Sequence, residues 1–241
     1  MIGLGTIVNV AAVAVAGLIG TFVKGGIKQK FQDTMMGVLG IATMFIGASG
    51  TLQEMFVVED GKIISQDSML LVLSLIIGAV IGELIDIELR LEKVGQWLKN
   101  KVRAKNDTKF VDGFVNSTLV ICVGAMAIVG SLQDGLTGDH STLLVKSALD
   151  FAIILIFAST LGIGTVFSAV PLALYQGAIT LFAGVISPYL NDSLVSDLNL
   201  VGSAMIFAIG VNLAFGKKFK VGNILPGLLV PIVYHIIQKL S

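Results

Sequence analysis

Long apolar runs are the feature that most constrains the fold of this chain. Hydrophobic residues make up 55% of its 241 residues and charged residues only 13%, whereas an average soluble domain has about 25% charged residues. A soluble protein covers much of its surface with charged and polar side chains, and this chain has too few of them to do so. The runs therefore predict a membrane protein that crosses the bilayer several times.

Eight of these runs approach the length of about 20 residues that crosses the hydrocarbon core as a helix. They predict an all-α, polytopic transmembrane helix bundle that forms a single domain over residues 1–241. The last three runs are short, so one of them is a candidate for a re-entrant or tilted segment. The predicted spans are Ile7–Val23, Thr34–Gly50, Met69–Ile87, Phe114–Gly130, Phe151–Ala169, Pro171–Ile186, Leu200–Phe215 and Ile224–Ile237.

The distribution of Lys and Arg predicts the orientation of the spans. Basic residues favour the cytoplasmic side, and the loops after odd-numbered spans hold all of the 16 Lys and Arg residues except Lys62, Lys146 and Lys239. Both termini are therefore predicted to be extracytoplasmic. The outer loops are predicted to be acidic, with Glu54, Glu59, Asp60, Asp67, Asp134, Asp139, Asp192 and Asp197. The net charge of zero gives no indication of a nucleic-acid partner.

Two similar strings indicate that the chain contains duplicated helical hairpins. Residues 50–54 (GTLQE) close the second span, and residues 130–134 (GSLQD) close the fourth. A weaker echo pairs the glycines of residues 17–20 with those of residues 78–82. Odd spans match odd spans and even spans match even spans, so the predicted repeats are parallel and not inverted. The hairpins are expected over about residues 1–50, 68–130, 147–187 and 200–238.

The charged loop of residues 88–112 connects the third and fourth spans. Leu91, Val94 and Leu98 have helical spacing, which predicts an amphipathic helix at the inner interface with Trp97 at headgroup depth. An ordinary basic loop is the alternative. In the first interpretation, anionic lipid headgroups are the partners of Lys99, Lys101, Arg103 and Lys105.

Uncharged polar residues within the spans are candidates for a substrate or ion site. Any one of them can simply join two helices through a hydrogen bond worth about 0.6 kcal/mol. A convergent set of amides could instead bind a zwitterion, a carbonyl group or a desolvated cation, with Gln53 and Gln133 at the outer side. The predicted site residues are Asn9, Ser168, Gln176, Thr180, Asn212, Gln53 and Gln133.

Glu83 and Asp86 form a secondary candidate ion site near the inner end of the third span. Their spacing of three places them on one helical face, and ionisable groups within a membrane are costly and often functional. The alternative is that both are solvated at the interface or paired with Arg90.

The connection between the fifth and sixth spans has no charged residue, and it contains two glycines and Pro171. Irregular backbone at membrane depth is tolerated only where protein covers it or where it lines a cavity. This segment is therefore the preferred position for a central site or gate, with Ser168, Gln176 and Thr180 as its polar groups. A tight hairpin buried in the bundle is the alternative.

Signals for catalysis or cofactor binding are weak. His140 and His235 are predicted to lie in separate exterior positions, and no spacing of His and Cys is typical of a metal site. We therefore expect that the protein is not an enzyme and uses no metal or organic cofactor. An intramembrane enzyme that uses Glu83 and Asp86 is a less favoured interpretation.

Several strings resemble a known family. Residues 124–136, residues 158–164 and residues 167–177 are similar to the signature of the YdfK/YqgA-like bacterial proteins, as are residues 5–9 and the Lys24-Gly25-Gly26 string. The resemblance covers essentially the whole chain. Members of this family are multi-pass membrane proteins of unknown function that often carry a transport label. The resemblance thus implies a helix bundle in the bacterial cytoplasmic membrane, and it assigns no functional residues.

Transport is the function that these features favour. Duplicated hairpins, an uncharged break and interior amides predict a small transporter or channel for a cation or a small polar or zwitterionic solute, and the acidic outer loops would attract cations. The alternative is a non-transporting structural protein that binds lipid or a partner through residues 99–109. A homodimer is compatible with either function, because eight short spans can barely enclose a pore.

Overall fold

The computed structural model describes residues 1–24, 28–59, 61–104, 106–123 and 125–240. It confirms the all-α, polytopic bundle. Seven segments of the described chain are long and apolar enough to cross a membrane, and a bent pair of helices would make an eighth. The seven are Leu4–Val23, Asp33–Met55, Ser68–Ile85, Ser141–Leu161, Ile163–Leu181, Asp192–Phe215 and Val221–Gln238.

Helices account for almost all of the regular structure in the described chain. The elements are α1 (Leu4–Lys24), α2 (Gln29–Met55), β1 (Phe56–Glu59), β2 (Lys62–Ser65), α3 (Ser68–Ile85), α4 (Ile87–Lys101), α5 (Phe110–Cys122), α6 (Ala125–Thr137), α7 (Ser141–Leu161), α8 (Ala169–Leu181), α9 (Ala183–Ile186), α10 (Asp192–Phe215) and α11 (Leu229–Leu240). Three segments are 3₁₀-helical: Ile163–Ser168, Ser187–Tyr189 and Val221–Leu228. The bent pair is α5 and α6, which meet at 62°.

A short antiparallel hairpin lies between α2 and α3. β1 pairs with β2 from Phe56 opposite Ser65 to Glu59 opposite Lys62. Sequence patterning does not predict this hairpin, because four residues in each strand are too few to establish a clear alternation of apolar and polar positions.

The predicted fifth and sixth spans are wrong in their boundaries, because both helices begin and end earlier in the sequence. α7 starts at Ser141, and the span after it ends at Leu181. Lys146, which the charge pattern assigns to an outer loop, lies within α7 together with Asp150. The two charges form an ion pair, so each reduces the cost of burying the other, and hydropathy taken residue by residue does not include this pairing.

Several acidic residues assigned to outer loops also lie within helices. Glu54 belongs to α2 and Asp134 to α6. Asp192 and Asp197 belong to α10, which begins at Asp192. Most of the acidic residues predicted to lie in outer loops thus lie at or near the ends of helices.

The predicted amphipathic segment is helical and corresponds to α4. Gly95 packs against Phe114 and Val111 of α5, whereas Trp97 is 60% exposed. Lys99 and Lys101 lie in the last turn of α4. Arg103 follows in a left-handed conformation. Five residues that the sequence analysis names lie outside the described residues: Lys105, Asp60, Gly25, Gly26 and Gly124.

Internal packing divides the described chain into two units. The first comprises Met1–Leu39 and Leu91–Tyr189, and the second comprises Gly40–Arg90 and the residues from Leu190 onward. Each unit contains a long helix that ends at a glycine and continues through a 3₁₀ segment into a further helix. The glycines are Gly162 and Gly216, with φ values of 90° and 78°, a region that other residues rarely adopt.

In the first unit, α1 packs along α7 in the same direction. A Cβ on Gly5 would approach Leu143 near the start of α7, and one on Gly20 would overlap the carbonyl oxygen of Leu155 further along. Gly17 faces Val166 in the 3₁₀ segment after α7. Small residues at these positions allow the helix backbones to approach closely.

The second unit uses glycines in the same way. Gly40, Gly47 and Gly50 of α2 lie against α10. Gly78 and Gly82 of α3 lie against the 3₁₀ segment Val221–Leu228. The duplication of hairpins itself stays a prediction, although Gly17 approaches a 3₁₀ segment in the first unit, and Gly78 and Gly82 approach one in the second.

Candidate functional site

A buried ion pair lies in the middle of α7, inside the first unit. Lys146 Nζ donates to both carboxylate oxygens of Asp150, each at 2.8 Å, and the two residues are only 7% and 4% exposed. Asp150 lies near the midpoint of this 21-residue helix, about 13 Å from its first residue at 1.5 Å per residue. Burying two charges costs several kcal/mol per ion even after relaxation.

Two fully buried amides bring α1 and α8 to this pair. Asn9 Nδ2 of α1 donates to Asp150 Oδ2 at 3.0 Å and to Gln176 Oε1 of α8 at 3.3 Å. Both amides have no exposed surface. Lys146, Asp150, Asn9 and Gln176 thus form one hydrogen-bonded set on three helices, which we call the polar cluster.

The polar cluster has spare hydrogen-bonding capacity. Among the described residues, Asn9 Oδ1 and Gln176 Nε2 have no hydrogen-bond partner although both atoms are buried. Leaving such a group unpaired costs about 1–3 kcal/mol, so native structures usually satisfy it. One spare atom is an acceptor and the other a donor, so a bound polar molecule could use both.

Hydroxyl groups extend the polar surface from the cluster toward the start of α1. Thr6 Oγ1 and Thr180 Oγ1 lie 3.1 Å apart, and Thr180 Oγ1 also donates to the Ser131 carbonyl oxygen at 3.2 Å. Asp134 is fully buried there and accepts from the Gly3 and Thr6 amides at 3.1 and 3.2 Å. A carboxylate at this position is stabilised by the positive end of the α1 dipole.

An apolar layer borders the cluster on the opposite side. On α1 it follows Asn9 by one and two turns, on α7 it follows Asp150 by one turn, and on α8 it precedes Gln176. The cluster is therefore polar toward the start of α1 and closed by hydrocarbon toward the other half of the unit. The buried members of this layer are Val13, Ala16, Ile121, Ile154, Ala169 and Leu172.

The structure brings together three of the predicted site residues, Asn9, Gln176 and Thr180. Ser168 is also buried in the first unit, but its hydroxyl donates to the Thr165 carbonyl oxygen at 2.6 Å. Gln133 accepts from Thr142 at 2.7 Å. These two side chains thus have local partners outside the polar cluster.

The other predicted site residues belong to the second unit. Asn212 Oδ1 accepts from the Lys218 and Phe219 amides at 2.7 and 2.9 Å, which fixes the connection after α10. Gln53 is exposed on α2.

The secondary candidates, Glu83 and Asp86, lie where α3 ends. Glu83 is exposed, forms an ion pair with Lys220 and accepts from Asn223 at 2.6 Å. The hydrogen bond to Glu83 raises the pKa of Lys220. Asp86 adopts a left-handed conformation with φ of 55°, which separates α3 from α4. Glu83 thus forms its ion pair with Lys220 and not with Arg90, the partner proposed from the sequence.

The second unit has a hydrogen-bonded pair of polar side chains of its own. His235 Nε2 and Asp197 Oδ2 lie 2.7 Å apart and join α11 to α10. Nearby on α2, Glu54 accepts from Ser196 at 2.5 Å and from Asn199 at 2.7 Å. Among the described residues, no group of three His, Cys, Asp or Glu side chains is placed to hold a metal ion.

Sequence reasoning does not select Lys146 and Asp150, the two charged members of the polar cluster. A usable signal is present, because a basic and an acidic residue four positions apart stand in an otherwise uncharged run from Leu143 to Phe157. Such spacing places both on one helical face and allows them to pair inside the membrane.

The apolar helices and the ion pair buried among them define a multi-pass membrane protein with charged groups inside its bundle. The chain belongs to the family described as Protein of unknown function (DUF554), whose model matches residues 4–236. The resemblance to the YdfK/YqgA-like proteins is thereby confirmed, since relatives with those names match along almost the whole chain.

Two relatives illustrate the range of similarity. The Uncharacterized membrane protein YdfK of Bacillus subtilis (strain 168) is 34% identical over 229 residues, which cover 95% of this chain and 94% of YdfK. The Uncharacterized protein YqgA of Escherichia coli (strain K12) is 28% identical over 231 residues, which cover 94% of each chain. No solved structure matches the chain significantly.

Proposed function

We propose that this protein is a small transporter or channel for a cation or a small polar or zwitterionic solute. The observation that carries the proposal is the polar cluster, in which an ion pair and two amides with unpaired atoms are buried at the middle of a membrane-length helix. Ionisable residues at this depth are expensive, and they commonly mark the paths of ions and substrates.

Simple helix packing is a weaker explanation for the ion pair. Lys146 and Asp150 lie on the same helix, so their pairing joins no two helices. An i, i+4 pair stabilises an isolated helix by only about 0.3–0.5 kcal/mol. A pair of apolar residues would fill the same space without desolvating two charges. Asp150 joins α7 to α1 through Asn9, and binding a solute would give the Lys146 charge a role that this packing contact does not.

Interrupted helices also support transport. In the first unit, a 3₁₀ segment follows directly after Gly162, which has a positive φ. In the second unit, four residues separate Gly216, which also has a positive φ, from the 3₁₀ segment Val221–Leu228. Both 3₁₀ segments belong to membrane-length segments. Broken helices are frequent around transporter binding sites, because the freed backbone groups can contact the solute or the coupling ion. In the first unit, the segment Ile163–Ser168 leads directly into α8, which carries Gln176.

The location follows from the same proposal. The protein would lie in the bacterial cytoplasmic membrane with both termini extracytoplasmic, so that the start of α1 and the hydroxyl groups near Thr6 face outward. Anionic headgroups would bind near Lys99, Lys101 and Arg103, and a homodimer would be the functional assembly.

A flux assay with purified protein in liposomes tests the proposal. Uptake of potassium, sodium and a panel of radiolabelled amino acids would be compared between the wild type, Gln176→Ala and the control Gln96→Ala. Gln96 is exposed on α4, so only Gln176→Ala should lose uptake. Absence of uptake of every panel member by the wild type would favour the non-transporting alternative. Wild-type uptake that is equal in the two variants would instead refute the assignment of the site to Gln176.

A further inference from the structure

We propose that the polar cluster binds a small zwitterion by exchange of partners: the solute ammonium takes Asp150, and the solute carboxylate takes Lys146. This inference specifies the cargo of the proposed transporter and rests on that function for its biological role. It makes a separate claim about which chemical class the site binds.

The charges of the cluster favour a zwitterion. Lys146 and Asp150 are the two charged members, they are hydrogen-bonded to each other, and their side chains are only 9% and 5% exposed. A bare cation that approaches Asp150 also meets the ammonium of Lys146, and a bare anion that approaches Lys146 meets the carboxylate. A molecule with both charges gives each buried group a new partner and leaves the net charge of the site unchanged.

The spare amide atoms match the same ligand. Asn9 Nδ2 contacts Asp150, and Oδ1 of the same amide is an unpaired acceptor. An ammonium bound at Asp150 could therefore donate a second hydrogen bond to Asn9 Oδ1. Gln176 Nε2 is an unpaired donor, so it could donate to the ligand carboxylate beside Lys146. An ammonium only donates hydrogen bonds, which suits the acceptor Asn9 Oδ1, and a carboxylate only accepts them, which suits the donor Gln176 Nε2.

The contacts across the cluster limit the size of the ligand. Asn9 and Gln176 are joined directly at 3.3 Å, and the apolar residues Val13, Ile154 and Leu172 pack beside them. A ligand must separate the two amides and part the ion pair without entering the hydrocarbon layer. This favours a short molecule in which few carbon atoms separate the two charges.

Ligand binding to the full-length protein in detergent micelles tests this directly. Isothermal titration and thermal unfolding would be measured with glycine, β-alanine and 4-aminobutyrate, whose charges are progressively further apart. Four kinds of control compound are compared with them: a cation (methylammonium), an anion (acetate), a neutral amide (acetamide) and simple salts (sodium chloride and potassium chloride). At least one zwitterion should bind saturably and raise the unfolding temperature, and the single-charge and neutral compounds should not. Equal or stronger binding of any control, or no response to the zwitterions, overturns the proposal.

Variants locate the binding. Asp150→Asn and Lys146→Gln should each weaken zwitterion binding at least tenfold, whereas Asp192→Asn and Lys101→Gln remove exposed charges elsewhere and should leave it unchanged. If the single variants do not fold, the charge-swapped double variant Lys146→Asp with Asp150→Lys keeps a pair and zero net charge. It should fold and bind at least tenfold more weakly, because its charges no longer match the positions of the amide donor and acceptor. Wild-type affinity in any folded cluster variant refutes the assignment.

Uptake of the bound zwitterion into liposomes separates this inference from the proposed function. Binding without uptake would support the zwitterion site and contradict transport. Uptake of potassium or sodium, without zwitterion binding, would support transport and contradict the zwitterion site.

Discussion

Removal of the Lys146–Asp150 ion pair, one charge at a time and then both together, should give opposite effects on stability. Asp150→Leu leaves the Lys146 ammonium buried without a counter-ion, and it also removes the acceptor of the 3.0 Å hydrogen bond from Asn9. Lys146→Met leaves the Asp150 carboxylate with Asn9 as its remaining donor. Because both side chains are at most 9% exposed, neither charge can simply return to water.

The expected magnitudes follow from this burial. Loss of one partner of a buried pair costs about 3–5 kcal/mol, whereas replacement of both by apolar residues of similar volume is often neutral or stabilising by about 1–4 kcal/mol. The double variant should therefore be at least as stable as the wild type, although both single variants are strongly destabilised. This sign reversal cannot arise from two independent substitutions.

Reversible unfolding of the purified protein in mixed micelles, followed by circular dichroism, measures the four corners of this cycle. Gln96 and Asn100 on α4 supply a matched control, since they are also four residues apart but exposed and 3.5 Å from one another. The corresponding alanine cycle should be additive within about 0.5 kcal/mol. Single variants that each cost less than about 1 kcal/mol, with additive effects, would refute the argument, because they would indicate that both charges are solvated. The double variant should also fold without supporting uptake.

Three further outcomes are expected from other parts of the structure. Gly82→Ala should prevent folding, because its Cβ would overlap the Asn223 carbonyl oxygen. Gly37→Ala meets no atom within 4 Å and should stabilise α2 by up to about 1 kcal/mol. The yield of monodisperse protein compares the two variants. Ile154→Ala should lower the free energy of unfolding by about 2–5 kcal/mol. It should also increase the proton leak of liposomes that contain the protein, because it thins the apolar layer. An unchanged leak would contradict a barrier role for that layer. The Ser141 backbone amide lowers the pKa of Asp139, so the hydrogen bond between them should stabilise the start of α7 above about pH 4 and be lost as pH falls through the lowered pKa. Hydrogen exchange at that amide should show this dependence, and Asp139→Asn should abolish it.

Much of the fold can be predicted from the sequence because it depends on local composition. The apolar runs identify the membrane helices. The boundaries of α7 and α10 cannot be predicted in the same way, since Lys146, Asp150 and Asp197 look like loop residues until their partners are known. Pairing partners lie on other turns or other helices, and a hydropathy window does not include them.

The candidate site was only partly predictable for a related reason. Asn9, Gln176 and Thr180 are visible as polar residues within apolar runs, and the structure brings them together. Asn212 and Gln53 have the same sequence character, but they lie in the second unit. Sequence position alone does not determine which helices share a unit, because α1 packs with α7 and α8, whereas α2 packs with α10.

Membership of the DUF554 family and a helical membrane fold can both be read from the amino-acid sequence. Membrane insertion depends on the summed hydrophobicity of each segment, which can be read along the chain. The assembly of an ion pair and two amides into one buried cluster is visible only in the folded protein. That arrangement depends on the rotation and register of α1, α7 and α8 against one another, which glycine contacts and hydrogen bonds between distant residues set.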